Sequence, residues 1–167
     1  MLFLVDLDGT TVDFVGPLIG AHNKKTGDNL CRKDINKWDL REFGIENETW
    51  QVPGFFRNLP LLEGAKEVLW KMYQNGHKIW IVTNGMKIDF IEKDKADWVK
   101  ENLPFVRGII FTDKKHELPA DGILIDDCPE YLEKFKGTTI KMNTPYNAHV
   151  KADYEVDDWQ DIDMIAN

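Results

Sequence analysis

The sequence predicts an α/β fold: a doubly wound parallel sheet with helices on both faces and a small helical cap inserted after the first strand. Three observations predict it. Five short apolar runs recur along the 167 residues, amphipathic stretches separate most of them, and one long stretch, 14–62, shows no strand pattern. The expected division is a core of residues 1–13 and 63–167 with a cap of 14–62.

The first run, LFLVD at 2–6, is almost unbroken apolar and ends in aspartate. Continuous apolar runs of this length mark parallel strands covered on both faces. In the cap stretch, GPLIGAHNKKTG reads as a short helix closed by Gly27. RKDINKWDLREFG and NETWQVPGFFRNLP read as short helical pieces and turns. Residues 63–75 place Ala65, Val68, Leu69, Met72 and Tyr73 at near-helical spacing, and Gly76 stands at the stop position. KIWIVT (78–83), VRGIIFT (106–112), GILID (122–126) and TTIKM (138–142) supply four more strands. Between them, 88–102 carries Ile88, Ile91, Trp98 and Asn102 on a looser stripe ended by Pro104, and 129–136 is a shorter helix stopped at Gly137. The acidic tail, YEVDDWQDIDMIAN, reads as a last short strand and a terminal helix.

Composition narrows the function. A net charge of −8 argues against a nucleic-acid polymer as partner, because such partners call for a basic surface. No apolar run approaches the roughly 20 residues of a membrane span. Met1 leads straight into a strand without a signal-peptide pattern, and Cys31 and Cys128 form no CxxC pair. A reduced, cytoplasmic protein is expected.

Strand ends of a parallel sheet converge on one edge, where open α/β folds bind ligands. Four of them carry polar residues: Asp6-Leu7-Asp8-Gly9-Thr10, Thr83-Asn84-Gly85, Thr112-Asp113-Lys114-Lys115 and Asp126-Asp127. Carboxylates brought this close repel unless a cation or a proton compensates. Asp6, Asp8, Asp126 and Asp127 give four negative charges; one dication and one lysine return three. About one proton remains to be held, as a carboxylate acting as general acid would hold it. Oxygen-only ligands with no Cys or His nearby suit Mg²⁺, which often shares its site with a substrate phosphate.

In this order, Asp6-x-Asp8-Gly9-Thr10, Thr83, Lys115 and Asp126-Asp127 resemble the four motifs of the phosphatase branch of the haloacid dehalogenase superfamily, whose core is Rossmann-like. PGFFRNLPLLEGAKEVL, DWVKENL, FTDKKHELPADGILIDD and TPYN are similar to the 5'(3')-deoxyribonucleotidase family. The resemblance implies Asp6 as a nucleophile forming an aspartyl-phosphate, and Asp8 as acid and then base. It implies Thr83 and the Asn84 amide as phosphate holders, and Lys115 as the neutralising cation. Mg²⁺ would lie on Asp6, the Asp8 carbonyl and Asp127, with Asp126 either ligating or ordering metal-bound water. The spacing from the lysine to the aspartate pair is one residue longer than the family's, which leaves Lys114 as an alternative. Aspartate at position 8 favours phosphoryl transfer over dehalogenation, which needs no acid there.

The cap would exclude large substrates, and it carries Phe14, Trp38, Phe43 and Trp50, aromatics suited to stacking on a flat base. The resemblance implies a nucleoside monophosphate substrate, with pyrimidine deoxynucleotides (dUMP, dTMP) preferred. A phosphatase for another small phosphoester, such as a sugar phosphate, and a non-catalytic nucleotide-binding module are the rival readings. The family often forms homodimers, though no exposed apolar stripe in this sequence compels one. Trp70, Trp80 and Trp98 are read as packing residues, Cys128 as a small buried one, and the four histidines as having no ligand spacing.

Overall fold

The structure, a computed structural model, describes residues 1–166. Six parallel strands form one sheet: β1 (Leu2–Val5), β2 (Lys78–Thr83), β3 (Ile109–Phe111), β4 (Ile123–Asp126), β5 (Thr138–Met142) and β6 (Tyr154–Val156). Their order is β3-β2-β1-β4-β5-β6. The chain therefore starts in the middle of the sheet and builds outward in both directions. That switch point lies between β1 and β4, where ligands of open α/β sheets bind. Val5 pairs with Ile81 on one side and Ile125 on the other, so the residues that follow β1, β2 and β4 emerge side by side.

Side chains alternate across each strand, so the sheet has two apolar faces. Phe3, Val5, Ile79, Ile81, Ile125 and Ile140 point to the larger core, under α2 (Ala65–Gln74), α3 (Asp89–Asn102) and α5 (Trp159–Ala166). Leu4, Val82 and Leu124 face the other way and meet Phe135, which follows α4 (Pro129–Lys134). The tail is a short strand and a terminal helix, as expected, and α5 has a direct task near the site. Trp159 Nε1 donates to Thr10 O at 2.9 Å and pins the loop after β1 from beneath.

Between β1 and α2 lie α1 (Val15–Thr26) and four 3₁₀ turns, Arg32–Asp34, Leu40–Phe43, Asn47–Thr49 and Phe56–Asn58. Gly27 closes α1 in the left-handed region (φ 83°). The segment leaves and returns through one backbone gate: Asp13 N donates to Pro60 O at 2.8 Å and Leu62 N to Thr11 O at 3.0 Å. Inside, Leu18, Ile19, Ile35 and Ile45 form a separate apolar cluster.

Three expectations need correction. The strand expected over 106–112 shrinks to Ile109–Phe111: the backbone bends at Val106 and Arg107, so although Arg107 N bonds Ile79 O at 2.8 Å, regular pairing starts only at Ile109. The helix expected over 129–136 ends at Lys134, where the chain turns Phe135 inward. Trp70 is not core packing; it is 44% exposed and shares a surface cluster with Tyr73 and Phe105.

Candidate active site

Asp6 follows the last residue of β1 and is fixed by Asp6 N donating to Ile125 O at 2.9 Å. The chain then turns sharply: Gly9 N bonds Val12 O at 2.9 Å, and Thr11 N and Val12 N both return to Leu7 O. Gly9 sits at φ +87°, and a Cβ there would overlap Asp127 Oδ2. Only glycine satisfies both the turn and the close approach. Thr11 Oγ1 donates to Asp6 O at 2.6 Å and Thr10 Oγ1 to Asp127 Oδ1 at 3.0 Å, so the DGTT run braces both ends of the acidic cluster.

Lys115 is buried and its ammonium donates to Asp6 Oδ1 and, at 2.6 Å, to Asp126 Oδ2. Lys114 is exposed and pairs with Glu117 at 3.3 Å. The geometry thus separates the two candidate lysines in favour of Lys115. Burial by itself would favour its neutral amine, but Asp126 and Asp6 reverse this and hold the pKa above the usual lysine range. Burial pushes Asp6 well above the usual carboxylate range; Lys115 opposes this, and Asp126, Asp127 and Asp8 add to it. Asp127 is pushed up to about 7, first by burial and then by Asp126, against hydrogen bonds from Tyr146 and Thr10. One oxygen from each of Asp6, Asp126 and Asp127 lies within 4.8 Å of the others. Three buried carboxylates that offer only oxygen fit a hard divalent cation, which would supply positive charge to the cluster.

Asp8 differs from its neighbours. Its carboxylate turns away from that cluster toward Lys95, whose ammonium donates to Asp8 Oδ2 at 2.5 Å, Thr83 Oγ1 at 3.1 Å and Asn84 O at 2.7 Å. Lys95 is fully buried in α3 and lies 4.5 Å from the Phe56 ring centroid. The sequence reading missed it, and its absence distorted the charge count. Lys95 is a fourth positive charge beside Lys115 and a dication, so the four aspartates balance without an extra proton until a phosphate brings its own negative charge, which a proton on Asp8 then offsets. A signal was present: Lys95 occupies the slot four residues after Ile91 and three before Trp98, where the buried stripe calls for an apolar side chain.

These groups open into a cavity of about 550 Å³, lined by Asp6, Asp8, Thr83, Asn84, Asp126 and Asp127 at one end. Phe14, Trp38 and Trp50 line it toward the 14–62 segment, where Arg41 and Asn47 also contribute. Phe43 does not line it; its ring packs against the separate cluster of that segment. Cys128 also borders the cavity, but burial and Asp126 push its thiol up to about 12, which leaves it protonated and a poor nucleophile at neutral pH.

A phosphatase reading of this geometry agrees with the chain's relatives. It is 30% identical over 165 residues to a provisionally named 5'(3')-deoxyribonucleotidase of Staphylococcus epidermidis, covering 95% of this chain and 91% of that one. It is 27% identical to a 5'(3')-deoxyribonucleotidase of Bacillus subtilis, covering 95% and 94%. Its fold matches a haloacid dehalogenase family hydrolase from Deinococcus radiodurans with a TM-score of 0.68 at 15% identity, over 96% of this chain and 92% of that one. The family described as 5' nucleotidase, deoxy (pyrimidine), cytosolic type C, matches residues 1–167. With strand order, acidic cluster and match running over the same full length, the chain belongs to this family of nucleotidases, phosphoric monoester hydrolases built on the haloacid dehalogenase fold.

Proposed function

We propose that the protein hydrolyses nucleoside monophosphates, with pyrimidine deoxynucleotides such as dUMP and dTMP preferred, through an aspartyl-phosphate on Asp6 and with Mg²⁺ as cofactor. The observation that carries this reading is one cavity with two chemically distinct kinds of lining: carboxylates and a hydroxyl at the strand ends, backed by the buried Lys95 and Lys115, and aromatic rings from the 14–62 segment. The 14–62 segment acts as the cap that closes it.

Asp6 attacks phosphorus with a carboxylate oxygen; the Asp–O–P bond forms and the ester P–O bond breaks. Lys115 holds the other carboxylate oxygen and offsets charge on the transferring group. Asp8 gives a proton to the leaving alkoxide, and its Oδ1, buried without a hydrogen-bond partner among the described residues, is the oxygen left free for that task. Water then attacks the phosphorus of the intermediate, Asp8 takes its proton, and phosphate leaves with Asp6 restored. Thr83 and the Asn84 amide orient the phosphoryl oxygens. Asp6, Asp126, Asp127 and the Asp8 carbonyl would hold Mg²⁺, which supplies Lewis-acid neutralisation of the phosphate. Phe14, Trp38 and Trp50 stack on the base.

The test is a panel of phosphomonoesters, each with and without Mg²⁺. The expected result is Mg²⁺-dependent release from dUMP and dTMP well above that from sugar phosphates, and loss of turnover in Asp6→Asn with folding nearly intact. Equal rates on sugar phosphates and dUMP would remove the nucleotide claim. Substantial activity in Asp6→Asn would sink the mechanism.

A further inference from the structure

Tyr146 belongs to the TPYN run, and neither the four motifs nor the mechanism uses it. It sits in a 3₁₀ turn, Pro145–Asn147, just after β5. Its hydroxyl donates to Asp127 Oδ2, while Thr10 holds Oδ1 at 3.0 Å. Both oxygens of that carboxylate are therefore fixed from the protein side, which sets the plane of the group. The same turn grips the backbone there as well: Asn147 Nδ2 donates to Asp127 O and to Met142 O, each at 2.8 Å. Thr144 N closes the turn on Asn147 Oδ1 at 2.9 Å.

The ring of Tyr146 points somewhere unexpected. It is buried among Leu18, Ile19, Ile35 and Ile45, and among the described residues it is the only buried member of that cluster from outside the 14–62 segment. The exposed Trp38 ring stands edge-on against it, 5.4 Å between centroids at 76°. Trp38 in turn lines the cavity. One side chain thus joins the apolar core of the inserted segment, the cavity wall and a carboxylate of the acidic cluster.

We propose that Tyr146 is a positioning residue for the divalent cation at Asp127, and that it ties the affinity for that cation to the seating of Trp38 and its segment. The proposal rests on the reading of Asp127 as a metal ligand. A donor behind a ligating carboxylate fixes its orientation, and removing such a donor typically costs 10–100-fold in metal affinity. Displacement of Trp38 or of the cluster moves the ring, and with it the hydroxyl on Asp127. By linkage, a substrate that orders Trp38 strengthens cation binding by the same factor that the cation strengthens substrate binding.

The experiment is a Mn²⁺ titration followed by electron paramagnetic resonance on the full chain, with no phosphoester present. It compares wild type, Tyr146→Phe, Trp38→Ala and the double variant. Tyr146→Phe keeps the ring in its cluster and removes only the hydroxyl. We expect it to weaken Mn²⁺ binding by about tenfold or more, with a melting midpoint near that of wild type. Trp38→Ala, at an exposed position, weakens binding in the same direction but less. The double variant binds like Tyr146→Phe alone, because Trp38 acts through the tyrosine. Wild-type affinity in Tyr146→Phe, or losses that add in the double variant, would overturn the proposal. None of these readouts involves turnover. A wild-type protein that shows this pattern yet releases no phosphate from dUMP would contradict the nucleotidase reading and leave the tie standing.

Discussion

Lys95 changes the picture of the acid–base group more than any other residue. A buried ammonium shared among Asp8, Thr83 and Asn84 O fixes two motif residues on adjacent strand ends with one side chain. Removing it leaves Asp8 without its countercharge and Thr83 without its donor. Lys95→Met should lower kcat on dUMP by about 10²-fold, the scale of a lost electrostatic contact in a site of this kind. Breaking a buried ion pair from one side costs about 3–5 kcal/mol. Asp8 is partly exposed, so the lower end, about 3 kcal/mol, is expected from urea unfolding. Turnover within twofold of wild type would show that Asp8 needs no such partner. The motif aspartates, Thr83 and Lys115 were legible in the sequence because each follows an apolar run that fixes its place on the sheet edge. Lys95 was not, because it stands in DFIEKDKADWVKEN among other charged residues. Charge alone does not distinguish a solvated lysine from a buried one; its position on the helix stripe does.

At the scale of elements, the Pro-Gly-Phe-Phe stretch acquires a structural meaning. Gly54 N donates to Asp94 Oδ2 at 2.6 Å, and Trp98 Nε1 donates to Leu59 O at 2.9 Å, so α3 holds this stretch at both ends. Between these ties Phe56 is buried over the Lys95 ammonium and stacks on Phe14, 5.9 Å away at 13°. Through Phe56 the stretch covers Lys95 and backs the cavity-lining rings of Phe14 and Trp50. Phe56→Ala should cost about 3–5 kcal/mol in urea unfolding and admit water to Lys95. Its kcat should fall further than the milder Phe56→Leu, which keeps the volume filled. Equal kcat in the two variants would mean that the ring only packs. Sequence periodicity found the helices and four strands closely, because their apolar stripes are long. It overran β3, since hydropathy does not register where an edge strand begins to pair. Phe14, Trp38 and Trp50 were legible as cavity aromatics by their segment, whereas Phe43 was indistinguishable from them until packing assigned it inward.

For the whole molecule, the acidic cluster makes stability depend on pH and metal together. Asp6 and Asp127 have raised pKa values in the metal-free fold, Asp127 to about 7. The unfolded chain ionises these groups near the ordinary carboxylate range, roughly pH 4. Between that range and the folded-state values, the folded protein binds more protons than the unfolded one. Stability therefore falls as pH rises through this window. Exposed carboxylates held low by a partner, such as Asp39 at about 2, have finished titrating below it. The melting midpoint of metal-free protein should accordingly drop between pH 5.5 and pH 8. A divalent cation held as proposed would bind only the deprotonated cluster and only the fold that assembles it, so it would stabilise most where protons have left. Saturating Mg²⁺ should therefore flatten or reverse the slope, with its largest gain in midpoint at pH 8 and its smallest at pH 5.5. Asp127→Asn removes one of the two titrating groups together with one proposed metal ligand, and should shrink both the metal-free slope and the Mg²⁺ gain. A metal-free midpoint that rises over the same window would mean that the repulsion among these carboxylates is relieved by something other than protons.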